Sequence, residues 1–563
     1  SLRVISVTSG SGTDFADVTL KVSDGSLTNP NKGTYKGNAE LTGFWNSNIS
    51  GALTAAKIAA FLEQAQLKRI TDTSFMTFVP NITGRNITLN VMQNVGDTDE
   101  ITINFVGGVA QLSDELIVTL TAAEYGEASF YDGANNKVDP TASGANVAYL
   151  KINVPKSVVL KAEDNTTVIA GGSVCLDSED ILNLATISSK NRNTVRIRAA
   201  SDILNAINEA AINIRGGDII LEAGGKIGAP GAMLTIQQES GKYLDARSAY
   251  NIMLKGVSGS FGGYDYNGSI GIGFIYTPNN LKLESPSSVY DARNDSRESI
   301  AAASLSIEAA AIGESGDYLE TDLTEPAAGL GTGNLLLNST GDIYLRELFG
   351  NMHITKVKST GGNADLRAYG SIYGIEPGTA AVEAVSISLT ALNGTLGTDA
   401  AYLMIDTGAA GTLTAVADDD IFIKETAGNL ALYSLTSSTG DVFIESLQSI
   451  TNGNPLGTNI TARNARLMVT ENIGALDKFI KTMVDQLEAR TQNGSIWLHN
   501  EKDLTVGDFT ELPGIKAGKT VYVMVSGRLL LKADLTIEAG EYVSLKIDRN
   551  PADADPAAGG SLE

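Results

Sequence analysis

Residues 342–372 read DIYLRELFGNMHITKVKSTGGNADLRAYGSI, and residues 420–450 read DIFIKETAGNLALYSLTSSTGDVFIESLQSI. The two align without a gap at an offset of 78 residues. Asp342, Ile343, Glu347, Gly350, Asn351, Ser359, Ser371 and Ile372 recur identically. Tyr344 answers to Phe422, Leu345 to Ile423, Arg346 to Lys424, Ile354 to Leu432 and Val357 to Leu435. Self-similarity at a fixed period marks a repeat architecture.

The likeness spreads outward from this pair. Ile312-Gly313 followed by Tyr318-Leu319 matches Leu396-Gly397 followed by Tyr402-Leu403. Ile227-Gly228 with Met233-Leu234, and Ile473-Gly474 with Phe479-Ile480, fit the same template. A unit of roughly 75–85 residues thus recurs about four times. Within each unit a Gly, Asn or Asp turn precedes a short alternating strand, as in Gly341-Asp342-Ile343-Tyr344-Leu345 and Gly217-Asp218-Ile219-Ile220-Leu221. Such starts recur about every 8–12 residues, with stronger echoes about every 20.

Alternation such as Ile343-Tyr344-Leu345-Arg346 turns every second side chain to one face. One strand of this kind buries little. A chain that repeats it can coil, laying each strand parallel on its predecessor so that Ile, Leu and Val form ladders up a common core. Coils ~4.8 Å apart and about 20 of them predict a rod on the order of 95 Å. A β-sandwich string or a propeller is the alternative, since a 78-residue offset has room for two blades, but the finer echo of about 20 residues favours the coil. The expected fold is therefore all-β, a right-handed parallel β-helix (solenoid) with a β-rich N-terminal module carrying one helix.

That helix is placed at Thr54–Arg69, where Ile58, Phe61, Leu62 and Ala65 form one apolar stripe and Thr54 suits an N-cap. Ala475–Arg490 also has a helical stripe, but Phe479-Ile480 falls on strand positions of the other units, so strand is expected. Residues 1–155 lack the 78-residue template yet hold short alternating runs at Asp17–Leu20, Ile87–Leu89, Ile101–Ile103 and Leu116–Val118. They are read as a separate module, sandwich-like or made of divergent coils, with a joint at Val154-Pro155-Lys156. Residues 156–550 are assigned to the β-helix and 551–563 to a tail.

The pattern Ile-Gly … Tyr-Leu … Gly-Asp-Ile-Tyr-Leu-Arg-Glu … Gly-Asn … Gly-Ser-Ile, clearest over 312–450, resembles the repeats of filamentous haemagglutinin-type exoproteins, and most of all the leukotoxin-like filamentous adhesins. The resemblance covers roughly residues 200–563. It implies a right-handed parallel β-helix exported to the bacterial surface or beyond, with roles in adhesion, biofilm or contact with other cells. The partner would be a receptor, glycan or matrix on a host or neighbouring cell. No two-partner secretion domain is visible in the sequence.

Composition is compatible with a secreted scaffold, and the near-absence of cysteine is equally compatible with the cytosol. The net charge of −24 argues against nucleic acid and an anionic membrane surface as partners, because both need clustered Lys and Arg. Hydrophobic residues make up 43% of the chain, enough for a packed core, and 59 glycines against 13 prolines fit a chain of many tight turns. No apolar run approaches the ~18 residues of a membrane helix. The chain opens on Ser1 and ends on Leu562-Glu563, which reads as a piece of a longer protein.

Catalytic tools are sparse, and no catalytic, cofactor-binding or metal site is assigned. The two histidines, His353 and His499, read as surface residues; Ala431 stands where His353 would recur. Cys175, the lone cysteine, reads as a small buried apolar residue. Asp418-Asp419-Asp420 has the composition of a Ca²⁺ ligand set or a carboxylate pair but falls at a turn, and Gly262–Gly268 only faintly matches a Ca²⁺-binding nonapeptide. No cofactor is expected, Ca²⁺ being the one weak candidate. Arg346-Glu347 and Lys424-Glu425 are read as charges offsetting one another on the solenoid face. Trp45 and Trp497 suit sugar stacking or rim packing. The leading expectation is a stiff structural or adhesive segment that is not an enzyme. The alternative is a carbohydrate-active β-helix, a polysaccharide lyase or tailspike-like glycosidase.

Overall fold

The computed structural model describes residues 2–547 apart from 5, 12–13, 31–33, 36–42, 44–53, 73–75, 78, 106–119, 121–127, 141, 143, 208–210, 324–332, 508, 511–513 and 532–535. The chain is all-β, a parallel β-solenoid holding about 20 turns, with one long helix among the described residues. It divides into two compact units, Ser1–Asp295 with Ser299–Ala302, and Ser296–Glu298 with Ala303–Glu563.

In the second unit the alternation seen in the sequence becomes a ladder. Strands Ile343–Glu347, Ala364–Ala368, Ile387–Ala391 and Leu413–Ala417 pair parallel, so that Leu345, Leu366, Leu389 and Ala415 stack in one inward row. Each of these four side chains is 0% exposed. Covering a leucine in this way contributes about 1.5–3 kcal/mol, and only the neighbouring coil supplies the cover. A further row runs through single parallel bridges, Ile372 to Leu396 to Ile421 and Ile450 to Ile473 to Ile496.

The repeat deduced from sequence is a repeat in space. Strands Ile343–Glu347, Met352–Ser359, Ala364–Ala368 and Ile372–Gly374 recur 78 residues later as Ile421–Glu425, Leu430–Ser437, Val442–Ser446 and Ile450–Asn452. Even the irregularity is copied: the register slips between Leu335 and Leu336, and again between Leu413 and Thr414, leaving Thr355 and Tyr433 as bulge residues. Ala475–Arg490 is strand, as the repeat demands: a tight antiparallel bridge joins Ala475 to Lys478, then Ile480–Met483 and Gln486–Thr491 extend.

In the first unit, Val18–Val22 pairs in register with Ile87–Val91, which pairs with Thr166–Ala170, all parallel. The ladder thus already runs through the region before residue 155, the divergent-coil arrangement weighed for it. The described residues between Thr28 and Asn81, and between Gly96 and Val158, are excursions from it. Val154-Pro155-Lys156 closes the strand Tyr149–Lys156, which pairs antiparallel with Asp97–Asn104 and Ser129–Tyr131. The helix Ala55–Thr71 begins at Thr54, whose side chain accepts the Lys57 N–H. Its Ile58, Phe61, Leu62 and Ala65 form a small separate core with Ile103, Phe130, Leu150 and Ile152 of that antiparallel sheet. The Leu116–Val118 run and the 551–563 tail lie outside the described residues.

Candidate functional site

Every residue identical between the two 31-residue copies has a structural cause. Ile343, Ile372 and their counterparts Ile421 and Ile450 are fully buried in the core rows. Gly350 and Gly428 have φ of 67° and 66°, in the left-handed region that favours glycine. Asp342 Oδ1 accepts the Asn363 N–H at 2.7 Å, and Asp420 Oδ1 accepts the Asp441 N–H at 2.7 Å. Asn351 and Asn429 do the same for Ser371 and Ser449. Ser359 Oγ accepts from Gly362 and donates to Gly341 O; Ser437 repeats this with Gly440 and Asp419 O. The Asp and Asn side chains satisfy corner N–H groups of the next coil, while the two serines cap an N–H of their own corner and bond back to a carbonyl of the preceding coil. The recurring polar residues therefore join coil to coil.

The Ile-Gly template has the same origin. Gly228, Gly313, Gly397 and Gly474 all adopt φ between 64° and 70°. A Cβ on Gly397 would stand 2.5 Å from Phe422 O, and one on Gly313 2.1 Å from Tyr344 O. The corner backbone runs against the carbonyl of the following coil, so only glycine fits.

The residues singled out for chemistry are dispersed. Cys175 is 3% exposed with its thiol 3.3 Å from Ser157 Oγ, and burial pushes that thiol's pKa up, away from the reactive thiolate. His353 is half-buried beside Tyr373, and burial lowers its pKa and favours the neutral ring. His499 Nε2 sits 2.9 Å from Ser526 Oγ. Asp418 and Asp419 are exposed at the turn into Ile421–Glu425. Gly262–Gly268 belongs to a β-hairpin: Ser258–Phe261 pairs with Tyr264–Asn267 across a two-residue turn, Gly262-Gly263, with φ of 63° and 84°. Arg215 lies 4.6 Å from the Phe261 ring centroid and Arg192 3.8 Å from that of Tyr264. Trp497 is half-buried on an outward position in register with Tyr522. Trp45 lies outside the described residues. Among the described residues no group of three or more His, Cys, Asp or Glu could hold a metal ion. No helix among them is long and apolar enough to cross a membrane.

The expectation for the Arg-Glu and Lys-Glu pairs needs correction. Glu347 and Glu425 do not lie on the solenoid face with their neighbours; they point inward and are 1% and 0% exposed. Glu347 accepts the Leu323 N–H at 3.0 Å and contacts Thr321 Oγ1 at 2.8 Å. Glu425 meets Thr407 Oγ1 at 3.0 Å and the Ala427 N–H at 3.2 Å. Burial raises these carboxyls to pKa values of about 8 and about 7. The outward Lys424 pairs instead with Glu445 of the next coil at 2.9 Å.

That ion pair centres a grooved surface of the second unit. Two grooves of roughly 400 Å³ flank it and share both residues. One is walled by Ile375, Pro377, Tyr402 and Met404, the other by Leu447, Met468 and Arg490. Beside the pair, Phe422 and Phe443 stack at 4.5 Å, and Arg466 reaches over them to donate to the Tyr402 hydroxyl at 2.6 Å. This surface can bind through apolar walls and charge. The sequence signal for it was the run of outward positions at the same place in successive strands, which the inward rows overshadowed.

The first unit hides its counterpart. Outward Arg198 grips Asp177 through two bonds of 2.8 Å, and Arg69 from the helix grips Glu222 at 2.8 and 2.9 Å. Burial works against ionisation of Glu222, yet the Arg69 guanidinium keeps its carboxyl below the usual range. No family model, curated protein or solved structure matches this chain.

Proposed function

We propose that this chain is a structural or adhesive segment of a large secreted bacterial surface protein, a stiff spacer that presents binding regions to a receptor, glycan or matrix on another cell. The observation that carries this reading is the reuse of one 31-residue design at a 78-residue offset, strand for strand and bulge for bulge. Its recurring polar residues are consumed in joining coils, which is what length requires and catalysis does not. The likeness to filamentous haemagglutinin-type repeats supports the same reading. Electron microscopy and binding of the labelled chain to whole cells test it: an elongated particle that binds is expected, and a compact globule or a chain that binds no surface removes it.

A second reading, a carbohydrate-active β-helix, draws on the groove where Glu376, Glu445 and Tyr402 meet. Acidic and aromatic side chains in one trough are what such an enzyme uses. Incubation with a polysaccharide panel decides it: release of reducing or unsaturated ends by the native chain, abolished in Glu445→Gln, is its expected result, and no turnover of any member removes it.

A further inference from the structure

The outward row through the ion pair reads Met404, Lys424, Glu445, Met468, in register across four successive strands. About its midpoint this row is self-complementary: reversing it places methionine on methionine and each charge on its opposite. The neighbouring outward row is no part of this patch, since Phe422 and Phe443 are only 6% and 9% exposed and Phe443 already packs on Phe509. A two-fold interface needs a patch of this kind, because residue i must suit residue j of the partner and j must suit i. Lys424 and Glu445 keep 32% and 28% of their side-chain surface exposed, so both remain able to take a second partner.

We infer that this face binds a second copy of the chain, the two solenoids running antiparallel, with Lys424 of each copy opposite Glu445 of the other. The thioethers of Met404 and Met468 are soft and adapt to contact, and they bracket the charged centre with apolar surface. Like charges brought together by a wrong register would be costly, so the alternation of apolar and charged positions also fixes the alignment. The inference does not depend on what the chain adheres to.

Sedimentation of the full chain from micromolar to near-millimolar concentration tests it, with Lys424→Glu and Glu445→Lys made separately. The native chain is expected to self-associate, and each variant to do so about tenfold or more weakly, since each sets like charges face to face. An equimolar mixture of the two variants is expected to associate again, because one then offers two acids and the other two bases at the same positions. Native melting temperatures for both variants establish that folding is intact; if either melts differently, the mixture alone decides. A native chain that stays monomeric, variants that associate as the native does, or a mixture no stronger than its components would each overturn the inference.

Discussion

Two stretches of ladder with the same inward faces have opposite outer ones. In Val174–Ser178, Val195–Ala199, Ile219–Ala223 and Leu244–Ser248 every position is buried, on both faces. In Ile343–Glu347, Ala364–Ala368, Ile387–Ala391 and Leu413–Ala417 buried and accessible positions alternate. The inward rows are alike because stacking dictates them. The outer rows differ because in the first unit the buried Arg69 of the helix lies on the sheet, where Glu222 and Asp177 are each gripped by a buried arginine. The contrast teaches that the ladder makes the scaffold, and what lies over it decides whether a charge is structural or free to meet a partner.

The largest effect is expected at Arg69. Arg69→Ala leaves Glu222 buried without its bidentate partner, and a loss of about 3–5 kcal/mol is expected, read as a fall in melting temperature. Its exposed analogue, Lys424→Ala, is expected to cost no more than about 1 kcal/mol, because that pair is wet. Equal effects at the two sites would erase the distinction between covered and open faces.

The buried glutamates give a pH-dependent effect. Their folded pKa values, about 8 for Glu347 and about 7 for Glu425, lie above the ordinary 4.5, so the folded chain holds protons that the unfolded chain has released. The stability this lends is complete below about pH 4.5 and is lost as pH rises through 7 to 8. Glu347→Gln removes the titrating group, so its stability relative to the native chain is expected to climb by about 2–4 kcal/mol between pH 5 and pH 8.5. Parallel pH profiles for the two proteins would return Glu347 to the surface.

A smaller effect separates two glycines of almost equal φ. Gly397 and Gly231 have φ of 70° and 72°, but a Cβ at 397 would press on Phe422 O at 2.5 Å while one at 231 meets nothing within 4 Å. Gly231→Ala is expected to cost about 1 kcal/mol for its backbone region alone, and Gly397→Ala about 2–3 kcal/mol, the excess arising from the next coil. Chemical denaturation of both variants measures the difference.

Much of this was legible in the chain. Alternation and the 78-residue offset suffice for stacked parallel coils, and the Ile-Gly corners mark where the backbone turns. The position of Glu347 was legible too, since it shares the parity of Ile343 and Leu345; its charge argued for the surface, and the parity was the stronger signal. Other features had no local signature. Arg69 ends an ordinary amphipathic stripe, and its partner stands 153 residues away. The self-complementary row around Lys424 and Glu445 is spread over four strands, one residue from each, and only register assembles it. The coils before residue 155 were legible only as one of two readings, because the excursions between them break the spacing that reveals a repeat.

Register is the claim on which the rest stands, and cross-linking measures it most directly. With Cys175 replaced by serine, Asp365→Cys combined with Ser388→Cys places two thiols on directly opposed outward positions of neighbouring coils, while Asp365→Cys with Leu389→Cys turns the second thiol into the core. The first pair is expected to oxidise rapidly to a disulfide with the fold intact, since in-register parallel strands hold Cα atoms about 4.8 Å apart. Failure of that pair to close, or equal closure of the slipped one, would contradict stacked parallel coils.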